Sequence, residues 1–125
     1  MNKLADLHLY TYFSDGTFSP KQLVEQAKLS GLCCIAVTDH DCISAIKPVT
    51  EAAGESLEVI PGIELTAEIN SNEVHILGYF IDPDSSALVS ELEKINSIRR
   101  KRVYGILEKL KGMGVDLDPE DVFSI

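Results

Sequence analysis

The sequence lacks features that would place it in several large classes of protein. No apolar stretch is long enough to cross a bilayer, and the first residues lack the apolar core of a signal peptide, so we expect a cytoplasmic protein without a membrane partner. Positive charge is scarce: 11 lysines and arginines oppose 20 aspartates and glutamates, which gives a net charge of −9. This balance argues against an extended nucleic-acid surface, which needs clustered positive charge. A nucleotide substrate stays open, because bound cations can reverse the local field.

Cysteine is also scarce, and its spacing does not suit a disulfide framework. The three residues are Cys33, Cys34 and Cys42, an odd and closely spaced set. The first two are neighbours in an apolar run, where side chains of a strand point to opposite faces. We therefore predict reduced thiols that serve as small apolar residues, in agreement with a cytosolic protein.

The length of 125 residues allows one modest domain or part of a larger one, and strand and helix patterns alternate through most of it. Strands are predicted over 4–9, 32–37, 57–68 (interrupted at Pro61-Gly62) and 73–81, and helices over 20–30 and 44–53. The last two strands are predicted to form a hairpin with a polar turn at 70–72. Alternation of this kind indicates an α/β fold with a parallel sheet or barrel, whose ligands bind at the carboxyl ends of the strands.

A break at 82–86 separates these units from a long helix predicted over 87–113 and a short helix that begins at Pro119. We therefore predict two parts, residues 1–82 with the βα units and residues 83–125 with the helices. The apolar residues 122–125 would normally lead into further structure, so the chain is expected to be a fragment.

Histidines and carboxylates recur where the predicted strands give way to loops. All three histidines belong to this set, which comprises His8, Asp15, His40, Glu64 and His75. Histidine and carboxylate are ligands of divalent metals. Their shared position at one edge of the sheet predicts a metal site built from distant segments.

Each residue also has a simpler interpretation. His75 alone is more typical of a hydrogen-bonded structural residue, and Asp15 before a glycine is a common turn former. Asp39 and Asp41 could cap the following helix, and for Asp41 we favour that role. The coincidence of residue type and topology supports the metal site over these separate explanations.

The motifs together resemble the PHP (polymerase and histidinol phosphatase) family, and most closely its stand-alone metal-dependent phosphoesterases. They are Asp6-Leu7-His8, Ser14-Asp15-Gly16, Thr38-Asp39-His40-Asp41, Pro61-Gly62-Ile63-Glu64 and Val74-His75-Ile76-Leu77-Gly78-Tyr79. The resemblance implies the N-terminal part of a distorted (β/α)7 barrel, with 83–125 as the start of a helical insertion. It also implies hydrolysis of a phosphate ester in a phosphorylated small molecule, a nucleotide or a short nucleic acid.

The resemblance further implies up to three divalent ions, which could be zinc, manganese, iron or magnesium. His8 would bind the first ion, Glu64 would bridge the first and third, Asp15 and His40 would bind the second, and His75 the third. A water between the metals would be the nucleophile, and no side chain is assigned a catalytic role of its own. In the helical insertion, Arg99 and Arg102 are candidate phosphate contacts.

Tyr10 departs from the family pattern, in which the first motif reads His-x-His. A phenol with a pKa near 10 is a poor ligand for most divalent ions at neutral pH, so the first metal site is expected to be weakened or empty. The family also draws ligands from a later part of the barrel, beyond Ile125. We therefore expect fewer metals here, and a homodimer in which each chain covers the exposed half-barrel of the other.

Two other interpretations stay open at this stage. The chain could be a degenerate module that binds metal or a nucleotide without turnover, which Tyr10 favours. It could also be a structural domain attached to a DNA polymerase, although the arginine-rich insertion and small size argue against that.

Overall fold

The structure, a computed structural model, describes residues 4–124. The first elements are β1 (Leu4–Leu9), α1 (Pro20–Leu29), β2 (Leu32–Val37), α2 (Ile46–Ala53), β3 (Glu58–Ile69) and β4 (Asn72–Tyr79). Two further helices follow, α3 (Ser86–Gly112) and α4 (Pro119–Phe123). The chain divides into two compact units, the first ending at Leu88 and the second beginning at Val89.

The four strands of the first unit form one sheet in the order β1-β2-β3-β4. β1 pairs with β2 and β2 with β3 in parallel, whereas β3 and β4 are antiparallel. The hydroxyl of Tyr79 on β4 donates to the carbonyl of Leu7 on β1 at 2.9 Å, although two strands lie between them. The sheet is therefore strongly curled, as in the wall of a barrel, and the predicted α/β class is confirmed.

Helix α1 begins where its sequence predicts and ends one residue before the predicted end. Ser19 and Gln22 form a capping box, in which the Ser19 hydroxyl accepts from the Gln22 amide and the Gln22 side chain accepts from the Ser19 amide. Pro20 occupies the first turn, where its missing N–H has no cost. Gly31 follows with φ of +74°, a conformation that favours glycine.

The core of the first unit lies between β2 and the two helices α1 and α2. β2 was predicted from a continuous apolar run, and its residues from Cys34 to Val37 are buried. The buried residues of this core are Leu23, Val24, Ala27, Ile35, Val37, Ala45, Val49, Ala53 and Leu57. All three cysteines are free thiols, as predicted, but only Cys34 is buried.

The predicted interruption of β3 at Pro61-Gly62 is wrong, because the strand is continuous through both residues. Pro61 is the last residue paired with β2, opposite Val37, and Gly62 is the first paired with β4, opposite Tyr79. A proline cannot donate to a ladder, and it is tolerated at this point because the strand changes partners there.

The β3–β4 hairpin is confirmed. Ile69 pairs with Asn72, and the two residues between them, Asn70 and Ser71, have φ of +52° and +64°. Two successive positive φ values are those of a type I′ turn, whose twist suits a two-residue hairpin loop.

The predicted capping role of Asp41 is wrong. Helix α2 begins after Ala45, and no side chain caps it. Instead, the buried Asp41 carboxylate accepts a hydrogen bond from the Thr66 amide on β3 at 3.1 Å. Asp41 therefore joins the loop after β2 to the neighbouring strand.

The second unit contains the rest of α3 and the short helix α4. Asp118 caps α4 by accepting a hydrogen bond from the Glu120 amide, and Pro119 occupies its first turn. The guanidinium of Arg100 lies 4.3 Å from the centre of the Phe123 ring, which is a cation–π distance. Among the described helices, none is both long and apolar enough to cross a membrane.

Candidate metal centre

A buried carboxylate, that of Glu64, lies at the centre of the site. The exposed fraction of the whole Glu64 residue is 3%. The strand β3 positions it two residues beyond the point where the strand changes partners. Its main chain is also fixed by the loop after β2, since the Glu64 amide donates to the Asp39 carbonyl at 3.2 Å and the Glu64 carbonyl accepts from the Asp41 amide at 2.9 Å.

All three histidines of the chain approach this carboxylate from different elements. His8 Nε2, at the end of β1, lies 3.0 Å from Glu64 Oε2. His75 Nδ1, on β4, lies 3.0 Å from Oε1, and His40 Nε2, in the loop after β2, lies 3.5 Å from Oε2. The rings of His40 and His75 meet edge to face, with centroids 4.7 Å apart. The sequence-predicted residues from three segments are thus brought to one point.

Tyr10 also belongs to this cluster. Its hydroxyl donates to Glu64 Oε2 and lies 2.7 Å from His8 Nε2. Its ring is stacked on that of His40, with centroids 5.2 Å apart and planes 12° apart. Burial and the neighbouring Glu64 raise the pKa of Tyr10 to about 12, so the phenol is neutral at pH 7.

Asp15 lies at the rim of the cluster, with Oδ2 at 3.5 Å from His40 Nε2. The tight loop that carries it requires the glycine next in sequence. A Cβ at Gly16 would lie 2.5 Å from the main-chain oxygen of Tyr10 and 2.9 Å from that of Thr11. No side chain other than hydrogen fits, so Gly16 allows the loop to turn back over the end of β1.

The same loop is fixed by Asp39, a buried residue whose partners the sequence did not reveal. Its carboxylate accepts from the Thr11 amide at 2.7 Å, from the Thr11 hydroxyl at 2.8 Å and from the Ser14 hydroxyl at 2.5 Å. Three donors satisfy a buried charge that would otherwise be costly. Asp39 thus supports the loop that carries Asp15, and it does not cap α2.

The electrostatics of the cluster favour an ionised Glu64. Burial by itself acts to raise the pKa of this carboxyl group. Hydrogen bonds from Tyr10 and His8, together with the nearby His40, outweigh burial and lower the pKa to about 2. The carboxylate is therefore anionic at neutral pH and need not lose a proton to receive a cation.

The donor atoms fit a divalent metal. Ligand atoms of His40, Glu64 and His75 all lie within 4.8 Å of one another. Bonds of about 2.0–2.2 Å hold His and carboxylate ligands on zinc, so two ligands of one ion lie no more than about 4.4 Å apart. A shift of a few tenths of an ångström would bring these three donors onto one ion.

Glu73 is a polar neighbour of the cluster that the sequence interpretation missed. Its Oε1 lies 3.1 Å from His75 Nε2. The hydrogen bond to Glu73 is the main reason why the pKa of His75 is raised. The sequence spacing of Glu73 and His75 could have indicated this contact, because residues two apart on a strand share a face.

Arg99 and Arg102, the predicted phosphate contacts, lie at exposed positions of α3 in the second unit. The described cluster around Glu64 belongs wholly to the first unit.

Several known proteins resemble this chain in sequence and in fold. The family model of the PHP domain matches residues 6–107. A 5'-3' exoribonuclease of Haemophilus influenzae is 34% identical over 92% of this chain, and a 3',5'-nucleoside bisphosphate phosphatase of Chromobacterium violaceum is 31% identical over 90%. The chain spans 42% and 38% of the length of these two relatives.

A solved structure from Bifidobacterium adolescentis, assigned as a metal-dependent phosphoesterase, has the same fold. It superimposes with a TM-score of 0.79 at 36% identity, and the match covers 86% of this chain and 38% of that one. The sheet of β1 to β4 therefore corresponds to part of a larger structure of the same type.

Proposed function

Because this chain belongs to the PHP domain family, we propose that it forms the metal-binding part of a metal-dependent phosphoesterase, which hydrolyses a phosphate ester bond. The observation that carries the proposal is the convergence of every histidine of the chain on one buried, ionised carboxylate. Neutral imidazoles with a carboxylate are the donor set typical of a catalytic zinc, manganese or iron site.

The ion would be held by His40, Glu64 and His75, whose ligand atoms already cluster. His8 and Asp15 lie next to them and would extend the site towards further ions. A divalent ion supplies two things when it is bound: it polarises phosphate oxygens, and it lowers the pKa of a water. The chain's own contribution is a fixed anionic carboxylate and a loop that Asp39 holds in place.

The proposed substrate is a phosphorylated small molecule, a nucleotide or a short nucleic acid. Both relatives described above carry names of enzymes that cleave phosphate esters of nucleotides or RNA. The net charge of −9 agrees with a small or single-stranded substrate, because an extended duplex needs a basic surface.

We assign residues 83–125 to the start of the helical insertion and retain Arg99 and Arg102 as phosphate contacts. Support comes from the run of four cations, 99–102, in an otherwise acidic chain.

A second copy of the chain is a further proposed partner. Leu4 and Leu7 are exposed on β1, and this strand lies at the edge of the described sheet, where another chain could cover it.

The test is the metal content of protein purified without chelator, measured by elemental mass spectrometry, together with hydrolysis of an aryl phosphate in the presence of Mn²⁺. We expect at least one transition metal per wild-type chain. Glu64→Gln keeps the shape of the side chain but removes its charge, and it should lose both the metal and any hydrolysis.

Glu68→Gln is the matched control, because Glu68 lies exposed on the same strand. This variant should retain the metal of the wild-type protein. A wild-type chain that binds no added metal would refute the proposal, and a Glu64→Gln variant that keeps its metal would place the ion elsewhere.

A further inference from the structure

We propose that Glu73 is a positioning residue of the metal centre, which orients His75 through a hydrogen bond from Nε2 so that Nδ1 faces the ion. The inference rests on the proposed function, since it concerns a ligand of the proposed metal. It adds a residue outside the ligand set to the determinants of metal affinity.

The geometry around His75 distinguishes its two nitrogens. Nδ1 lies 3.0 Å from Oε1 of Glu64 at the centre of the cluster, and Nε2 lies 3.1 Å from Oε1 of Glu73 at its outer side. The two carboxylates therefore hold the ring from opposite sides and fix its rotation. The ring is also limited by its edge-to-face contact with His40.

The position of Glu73 on strand β4 explains why its side chain reaches the His75 ring. His75 and Glu73 are two residues apart on β4, so their side chains share a face of the hairpin. Across the ladder, His75 pairs with Thr66, which offers no charge. Among these neighbours on the hairpin, Glu73 is the one whose carboxylate contacts Nε2.

A hydrogen bond at Nε2 has a specific consequence for Nδ1. An imidazole that binds a metal through one nitrogen carries its proton on the other. A carboxylate that accepts a hydrogen bond from this N–H selects the tautomer in which the Nδ1 lone pair is free to bind the metal, and it makes the ring a more basic ligand. Loss of such a partner typically weakens metal binding by about 10-fold to 100-fold.

The competing interpretation is an exposed ion pair with no effect on the metal. Side chains of His75 and Glu73 are 41% and 66% exposed, and exposed pairs contribute little to stability. A small contribution of this pair to folding stability is compatible with the proposed role, because the orientation of a ligand affects metal affinity and leaves the fold unchanged. Exposure also means that substitutions of Glu73 can be made without a cavity.

The experiment measures the affinity of the full chain for Zn²⁺ alone, by competition with a chromophoric chelator, in four proteins. Wild type binds Zn²⁺ if the proposed function is correct. Glu73→Ala removes the acceptor and should bind about 10-fold to 100-fold more weakly. Glu73→Gln retains an amide oxygen as an acceptor and should recover part of that loss, which a purely electrostatic role would not allow.

Glu68→Ala is the matched control, since Glu68 is exposed and pairs directly with Glu73 in the ladder, where it carries the same charge. Its Zn²⁺ affinity should stay within about 2-fold of wild type, and thermal unfolding of all four proteins should coincide. Equal losses in Glu68→Ala and Glu73→Ala, or no loss in Glu73→Ala, would overturn the inference and leave the proposed function standing. A wild-type chain that binds no Zn²⁺ would instead remove the site itself.

Discussion

Tyr10 occupies a place in the cluster where its hydroxyl competes with a metal. The phenol donates to Glu64 Oε2 and lies 2.7 Å from His8 Nε2, so both of these atoms already have a neutral partner. With a pKa raised to about 12 by burial, the phenol does not become a phenolate ligand near pH 7. The oxygen that Tyr10 leaves available is Oε1 of Glu64, on the side of His75.

We expect Tyr10→His to increase Zn²⁺ affinity or the number of ions bound, because an imidazole can replace the phenol as a metal ligand beside His8. Tyr10→Phe removes the hydroxyl without adding a donor and serves as the control, with a smaller change. Isothermal titration of the three proteins with Zn²⁺ measures both quantities. Identical titration curves for wild type and Tyr10→His would show that position 10 has no influence on the ion.

The sequence predicted the types of residue in the site better than their individual partners. His8 and His40 could be assigned to one edge of the sheet because parallel strands end there. His75 could be added because it lies on the strand that returns from the predicted hairpin. The partner of Asp41 could not be predicted, since its carboxylate bonds to Thr66, a residue 25 positions away. Such contacts depend on strand register, which local sequence does not reveal.

Strand β3 is the element that connects the fold to the site, and Gly62 is its tightest point. A Cβ at this position would lie 2.9 Å from the Val37 carbonyl oxygen and 3.0 Å from that of Gly78. Both atoms are main-chain atoms of neighbouring strands, so neither can move without a shift of its strand. The added carbon would also lie 2.9 Å from Thr38 Cγ2.

We expect Gly62→Ala to destabilise the chain by about 1–3 kcal/mol, the usual cost of overpacking. Because Glu64 follows two residues later, the same variant should bind Zn²⁺ more weakly. Gly78→Ala is the control: its new Cβ would lie 3.4 Å or more from its neighbours, an ordinary contact distance. Urea unfolding measures the difference, and similar stabilities for the two variants would contradict the close approach.

The predicted interruption of β3 at Pro61-Gly62 was wrong for a physical reason that lies in the pairing of the strand. A Pro-Gly pair usually marks a turn or the end of a strand. Here the strand needs no donor from Pro61, as it leaves β2 and joins β4 at that point. By contrast, α1 was predicted with its cap because Ser19, Pro20 and Gln22 act within a single turn.

At the scale of the whole molecule, the site residues all belong to the first of two compact units. Binding of an ion that requires the folded first unit stabilises that unit, by about 2.7 kcal/mol at a concentration of 100 times Kd. The net charge of −9 adds a general attraction for cations, which salt screens. Binding at a specific site can be distinguished from this general attraction, because only the part of the chain that contains the site is stabilised.

Hydrogen exchange measured by mass spectrometry should locate the effect. With Zn²⁺ at 100 times Kd, the slowest amides of β1, β3 and β4 should exchange up to about 100-fold more slowly, whereas peptides from 113–124 should not change. Glu64→Gln is the control and should show no slowing. Equal protection in both units, or in the variant, would indicate binding of cations by general charge.

The hairpin of β3 and β4 also has a consequence for the order of folding. Glu64 and His75 are 11 residues apart in the chain, whereas His8 and Glu64 are 56 apart. A hairpin closes within about 1–10 μs, and short loops lose less entropy on closure than long ones. Two of the proposed metal donors therefore meet early, and the parallel strands that deliver the others are assembled afterwards on a hairpin that already holds these two.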